Sequence, residues 1–303
     1  MNRIQNGYKG IDVEVISYTK HPAKIMWDIL KQTWVSLHDK EYNPNDKEIR
    51  KMIIDSLEKR LNPVPLETVL IQITFKGISR VNLAQLTRHR GWLFNSESQM
   101  PQHVNHNVII PLSIVNSEYY ERALKLVKES QELYDDMTRG NNEGKEHTNI
   151  PYQDARYLLL NGQTADISAS FTLPQLINAC GMRLENNTHD EINYMFRIAI
   201  KKLKEQIEND EELDELDRLI YLKTLNSADV FGANRHVGTC YDAMFGNSFK
   251  RFEDVNEYVT EATENAMFDY KKLAWYYELK RIYEEEPELL LPGEKEMIES
   301  WGK

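Results

Sequence analysis

Apolar and polar positions change their rhythm several times along this chain. Residues 13–18, Val13-Glu14-Val15-Ile16-Ser17-Tyr18, alternate with the period of a strand. Residues 24–33 and 46–61 read as helices, the second opening at an Asn45/Asp46 cap and stopping before Asn62-Pro63. Residues 68–75 are apolar and β-branched, which predicts a second strand. A helix over 80–90 follows, ending in Arg88-His89-Arg90, and then a short extended segment at 108–111. Residues 117–137 open with Ser117-Glu118 and place Tyr120, Leu124, Val127, Leu133 and Met137 at helical spacing. A strand at 166–172 and helices at 176–184 and 189–207 complete the pattern. This order predicts an α/β (α+β) fold, a mixed central sheet flanked by helices, with no internal repeat.

The pattern changes again after residue 228. Residues 254–286 carry Val255, Tyr258, Ala262, Ala266, Phe268, Leu273, Tyr276 and Leu279 at roughly helical spacing, with acids on the other side. The run ends at Glu284-Glu285-Glu286-Pro287, where proline stops a helix. The expectation is a catalytic domain over 1–228 and a helical extension over 229–303 that packs on it. A lid or an oligomer contact is the sharper alternative, and residues 230–236 are candidates to touch a site.

Composition narrows the class. A chain of 303 residues, 41% hydrophobic and 10% aromatic, suits a globular enzyme. Its 37 basic and 48 acidic residues give a formal charge of −11, which argues against a duplex nucleic-acid partner but leaves room for a nucleotide held by a few local arginines. Two cysteines, Cys180 and Cys240, are too few for a disulfide framework and suit a reducing, cytoplasmic setting; Cys180 reads as a small core residue. No apolar run approaches the ~18 residues of a membrane span, and the start, Met1-Asn2-Arg3-Ile4-Gln5-Asn6, lacks the apolar core of a signal peptide.

Candidate chemistry concentrates around Arg88-His89-Arg90, with Gln85 before it and Ser98 after a gap of seven residues. Three consecutive side chains of this kind point in different directions and fit a large anionic ligand, since guanidinium forks bind phosphate in pairs of hydrogen bonds. Upstream lie Pro65-Leu66-Glu67 and Gly77-Ile78-Ser79-Arg80. Downstream lie Gln153-Asp154-Ala155-Arg156-Tyr157-Leu158-Leu159, then Thr164, then Met182-Arg183-Leu184 with Glu191-Ile192 trailing. Taken together and in this order, over roughly residues 12–225, these blocks resemble the flavin-dependent thymidylate synthase family.

The resemblance implies FAD as cofactor, NADPH and methylenetetrahydrofolate as co-substrates, and one-carbon transfer to C5 of dUMP, giving dTMP without a cysteine nucleophile. It implies that Glu67, Arg88, His89, Arg90, Asn95, Glu97 and Asn178 contact the flavin. Gln85, Arg88, Ser98, Gln99, Arg156 and Arg183 would bind the nucleotide, with Arg156 on its phosphate. Arg183 would polarise the pyrimidine, with Ser98 beside the uracil, as the catalytic pair. It further implies a homotetramer with active sites shared between subunits. No metal and no membrane partner are expected.

Several positions depart from the family pattern. Met100-Pro101 stands where the family has Arg-Tyr, which removes a cation expected at the phosphate; Arg235 is a candidate replacement. Ser96 stands where a Glu is usual, with Glu97 next to it, and Leu93 replaces the first motif Ser. Leu160 replaces a Pro, Asn62 falls near where a His is usual, and Thr172-Leu173-Pro174 stands for Asn-x-Arg. The flavin frame thus survives better than the nucleotide and folate walls. A pyrimidine-nucleotide C5 hydroxymethylase and a non-catalytic nucleotide-binding paralogue are the alternatives.

Other features carry less. His103 and His106 lack nearby carboxylates in sequence and read as polar loop residues rather than a zinc site. Gly140-Asn141-Asn142-Glu143-Gly144-Lys145 follows a helix and lacks the Ser/Thr of a phosphate-binding loop, so it reads as surface. Trp92, inside the motif, is either core or a stacking platform for a ligand ring.

Overall fold

The computed structural model describes residues 4–58, 64–99, 105–139, 150–184, 188–233, 269–291 and 293–300. The strands are β1 (Ile4–Asn6), β2 (Asp12–Tyr18), β3 (Leu70–Ser79), β4 (Leu93–Ser96), β5 (Val108–Ile110) and β6 (Thr164–Thr172). The helices are α1 (Pro22–Leu30), α2 (Lys47–Glu58), α3 (Arg80–Leu86), α4 (Leu112–Val115), α5 (Tyr120–Thr138), α6 (Tyr152–Ala155), α7 (Leu173–Arg183), α8 (Asp190–Glu208), α9 (Glu215–Ala233), α10 (Asp269–Glu285) and α11 (Glu294–Ser300).

Four strands form an antiparallel sheet in the order β2-β3-β6-β4, and β1 pairs with β5 in parallel as a separate two-stranded sheet. Alternation sorts the large sheet into two faces. Val13, Ile71, Ile73, Phe75, Ile167, Ala169 and Phe171 are buried, whereas Glu14, Gln72, Asp166, Leu93 and Asn95 are exposed. Helices α7 and α8 cover the apolar face, α9 packs on both of them, and all join the sheet in one core. The other face is polar, as expected for an antiparallel sheet with one solvated side.

Local chemistry fixes the elements that matter for the site. Asp46 accepts from the backbone N–H groups of Glu48 and Ile49 and opens α2, the cap read from sequence. Helix α3 starts at Ser79, whose hydroxyl accepts from the Asn82 N–H. The buried Glu191 of α8 then holds this start, accepting from the Ser79 N–H at 2.6 Å and from its hydroxyl. Burial pushes the Glu191 carboxyl up. The Glu191-Ile192 block therefore anchors the helix that delivers Arg88-His89-Arg90.

Three expectations shift in detail. The helix over 80–90 ends at Leu86, and residues 87–91 form turns. Helix α7 starts at Leu173 rather than 176, because Thr172 and Gln175 form a capping box and Pro174 lies in the first turn, where proline lacks no needed donor. Strand β4 was not foreseen. Within the extension, α10 packs on α8 and α4, and Ile282, Leu289 and Leu291 enter the main core, so the described part of it packs on the core. Helix α9 runs unbroken through residue 228 to Ala233.

Candidate functional site

The chain turns sharply after α3. Gly91 adopts a φ of 81°, a left-handed conformation that glycine takes without strain, and a Cβ there would meet Gln175 Nε2 at 2.6 Å. This turn leaves Arg88 and Arg90 exposed and drives His89 inward, where it is 7% exposed. His89 stacks on Trp92 with ring centroids 5.1 Å apart, and Trp92 stacks in turn on Phe171 at 4.0 Å. Trp92 is thus buried core between two rings, not a platform for a ligand.

Arg183, the last residue of α7, reaches across to this turn. Its Nε donates to His89 Nε2 at 3.0 Å, Nη1 to Gln85 Oε1 at 3.4 Å and Nη2 to the Gln85 carbonyl at 3.3 Å. Burial, and then the charge of Arg183, push His89 down to about 4. It is therefore a neutral acceptor that aims Arg183. Burial also lowers Arg183, with the nearby Arg88 charge adding to it. Two guanidiniums thus sit together at a half-open surface, and Arg88 and Arg90 make no ion pair among the described residues. Such a surplus of positive charge suits a phosphate-bearing ligand.

The remaining expected residues fall into other groups. Glu67 lies in a turn at Val64–Thr68 and accepts from the Thr172 hydroxyl at 3.0 Å. Asn178 is exposed on α7, the helix that also carries Arg183. Asn95 is exposed on β4 beside Ser168 of β6, on the polar face of the sheet. After β4, the Glu97 N–H donates to the Asp166 carbonyl at 2.9 Å, and Glu97 Oε2 accepts from the Asp166 N–H at 3.4 Å. Ser98 is exposed and Gln99 half-buried. Arg156 follows α6, its Nε donating to the Gln153 carbonyl at 3.1 Å. No hydrogen bond among the described residues joins Arg156 to the Gln85–Arg183 group.

Arg80, quoted in the Gly77-Ile78-Ser79-Arg80 block but given no role there, donates from Nη2 to the Glu97 carbonyl and feels the charge of Arg156. His106 finds in space the carboxylate it lacked in sequence: its Nε2 lies 2.6 Å from Asp135 Oδ1 of α5. Cys180 is fully buried. Asn62, Met100, Pro101, His103, the loop at 140–145, Arg235, His236 and Cys240 lie outside the described residues.

Comparison with known proteins identifies the family. The sequence pattern of the family described as "Thymidylate synthase complementing protein" matches residues 14–208. A flavin-dependent thymidylate synthase of Thermococcus onnurineus is 26% identical over 209 residues, covering 67% of this chain and 81% of that protein. One from Sulfolobus acidocaldarius is 30% identical over 202 residues, covering 64% and 71%. Among solved structures, the UMP/dUMP methylase PolB from Streptomyces cacaoi, bound with 5-Br dUMP, superposes with a TM-score of 0.53 at 16% identity, over 67% of this chain and 92% of that one. From the anchored turn at Arg88-His89-Arg90 to the fold around it, the chain belongs to the flavin-dependent thymidylate synthase family, a family of methyltransferase-type enzymes.

Proposed function

We propose that this protein transfers a one-carbon unit from methylenetetrahydrofolate to C5 of dUMP, with reduction by FADH2 and NADPH, giving dTMP. The observation that carries this reading is Arg183, held by Gln85 and a neutral His89 next to a second guanidinium, Arg88. Arg88 and Arg90, exposed and without acidic partners among the described residues, fit the pyrophosphate of FAD. Glu67, Asn95, Glu97 and Asn178 complete the set that would hold it. Once reduced by NADPH, bound flavin would supply hydride; the chain orients the reactants and excludes water.

In this reading Gln85, Arg88, Ser98 and Gln99 bind the nucleotide and Arg156 its phosphate. Arg183 contacts the pyrimidine ring and polarises it, which favours attack from C5. Ser98 sits beside the uracil. The groups around Arg183 and Arg156 belong to different places on one chain, so a homotetramer with shared sites is part of the reading, as is a cytoplasmic setting. Exposed apolar side chains next to site residues support the association: Tyr157 is 82% exposed, Leu158 47% and Leu93 74%.

The alternative is a C5 hydroxymethylase acting on a pyrimidine nucleotide. One observation favours it: Pro174 occupies the first turn of α7, where the family places an Arg, so that wall of the site carries no cation. Product mass separates the two. Incubated with dUMP, methylenetetrahydrofolate and NADPH, the enzyme should yield a nucleotide heavier by CH2; a gain of CH2O identifies the hydroxymethylase. No product, with dUMP still bound, identifies a non-catalytic paralogue. The purified protein should take up FAD with a visible absorption band, and Arg90→Ala should weaken that uptake. A protein that binds no FAD defeats the reading.

A further inference from the structure

Residues beyond 208 lie outside the family match, and from there α10 places a polar clamp on α8. Arg281 donates from Nε and Nη2 to Glu278 Oε1 at 2.8 and 2.6 Å, and from Nη1 to Glu286 Oε2 at 2.6 Å. Its guanidinium lies 5.0 Å from the centre of the Tyr194 ring, and the Tyr194 hydroxyl donates to Glu286 Oε2 at 2.8 Å. Tyr194 is buried on α8, three residues after Glu191 and therefore on the same side of the helix. Glu191 accepts from the Ser79 N–H and hydroxyl, and that hydroxyl caps α3. Helix α3 carries Gln85 in its last turn and leads into the turn with Arg88. Through the first turns of α8, the extension is thus joined to the residues that hold Arg183.

Packing alone does not call for this chemistry. Apolar burial is non-directional, whereas charge-assisted hydrogen bonds fix one placement of the two helices. Glu278 is 3% exposed, and its Oε2 is buried without a hydrogen-bond partner, so the carboxylate is costly unless Arg281 stands beside it. We propose that the extension braces the ligand-binding turn, with Arg281 as a positioning residue: by holding Tyr194 it sets the first turns of α8, keeps Glu191 on Ser79 and so places Gln85 and Arg88. The ligand measurement below rests on the nucleotide reading given above; the exchange measurement does not.

Two measurements on the full chain test the brace: amide protection factors from hydrogen exchange, and dUMP affinity by calorimetry. Arg281→Gln combined with Glu278→Gln removes the clamp without stranding a buried charge. Protection of α3 should then fall about two- to thirtyfold, the range that changes within such networks produce. Protection of α2, which packs on α1 and α9, should stay. The dUMP affinity should weaken by a similar factor, and Arg281→Lys should keep part of it. Tyr194→Phe, which loses one hydrogen bond and keeps the ring, should show the same changes in smaller measure. Glu191→Ala should also weaken dUMP, and adding it to the clamp variant should weaken dUMP less than the two separate effects combined, because both act on one anchor. A lower melting temperature with α3 protection and dUMP affinity unchanged assigns the clamp to stability alone and overturns the proposal. So does an equal loss of protection in α2 and α3, or full additivity with Glu191→Ala. A wild-type protein that binds no dUMP defeats the proposed function instead, and exchange in α3 then decides for the brace.

Discussion

His89 shows how much one side chain's surroundings change its chemistry. An ordinary histidine titrates near 6.5, but burial first, and the Arg183 charge second, bring this one down to about 4. Its folded-state value lies below its unfolded one, so its contribution to stability is complete above about 6.5 and is lost as pH falls through about 4. Thermal melting should therefore weaken across that window, and His89→Asn should flatten this part of the profile. A melting curve of wild type no more acid-sensitive than the variant contradicts a neutral His89. Affinity for deoxyuridine, which carries no titrating phosphate, should show no step near pH 6.5, because His89 stays an acceptor for Arg183 there. His89→Lys places a charge against Arg183 and should abolish nucleotide binding, read by calorimetry. The motif named these residues from sequence, yet not their division of labour. Side-chain direction in a tripeptide is set by the turn that follows, here Gly91, and by the Trp92–Phe171 stack that receives the imidazole. Arg80 was quoted in a motif block without its surroundings for the same reason: Glu97 and Arg156 are distant in sequence.

At the scale of elements, the extension is fastened by charge in the core rather than by apolar contact alone. Arg197 of α8 and Glu294 of α11 form a bidentate pair at 2.5 and 2.7 Å, both side chains at most 2% exposed, and Arg197 Nη1 also donates to the Leu289 carbonyl. Glu294→Ala strands a buried guanidinium and should cost about 3–5 kcal/mol, seen as a lower denaturation midpoint. Arg197→Met together with Glu294→Leu should recover most of it. A second device sits near the start of α8. Burial first, and Glu278 of α10 second, push Asp190 up to about 7. Tyr8, Glu191 and His189 lie around it, and Arg281, Glu285 and Glu286 face Glu278 from α10 and the turn beyond. Here the folded value exceeds the unfolded one, so the stabilisation is complete below about 3.8 and is lost as pH rises through about 7. Protection factors in α10, exchange rates divided by the intrinsic base-catalysed rate at each pH, should fall between pH 6 and 8, and Asp190→Asn should remove that fall. The periodic segments behind this architecture were legible in sequence, including β2, β3, β6, α5 and α8. Strand β4 was not, since only four residues alternate and Leu93 points outward. Helix α9 was not either, because Leu216, Ile220, Tyr221 and Leu225 are buried and Asp217 is buried among them, which blurs the polar stripe that marks a surface helix.

At the scale of the whole molecule, the candidate residues fall into two groups on one chain. Gln85, Arg88 and Arg183 converge at the end of α3, whereas Arg80, Glu97 and Arg156 gather at its beginning. Exposed Tyr157 and Leu158 flank Arg156, and exposed Leu93 precedes Asn95. Apolar side chains of this size are more stable covered, and a second copy of the chain covers them while bringing one cluster to the other. Closed homo-oligomers with two-fold axes are the common solution, so light scattering at micromolar concentration should report a tetramer. Mixed subunits give the sharper measurement. Arg88→Ala and Arg156→Ala proteins should each be inactive, because each lacks one half of every site. Unfolded, mixed and refolded together, they should regain part of the activity, since some sites then pair an intact Arg88 with an intact Arg156 from a neighbour. A monomer in solution, or mixtures as inactive as their components, means that each chain closes its own site by a rearrangement of β4 and α6 instead.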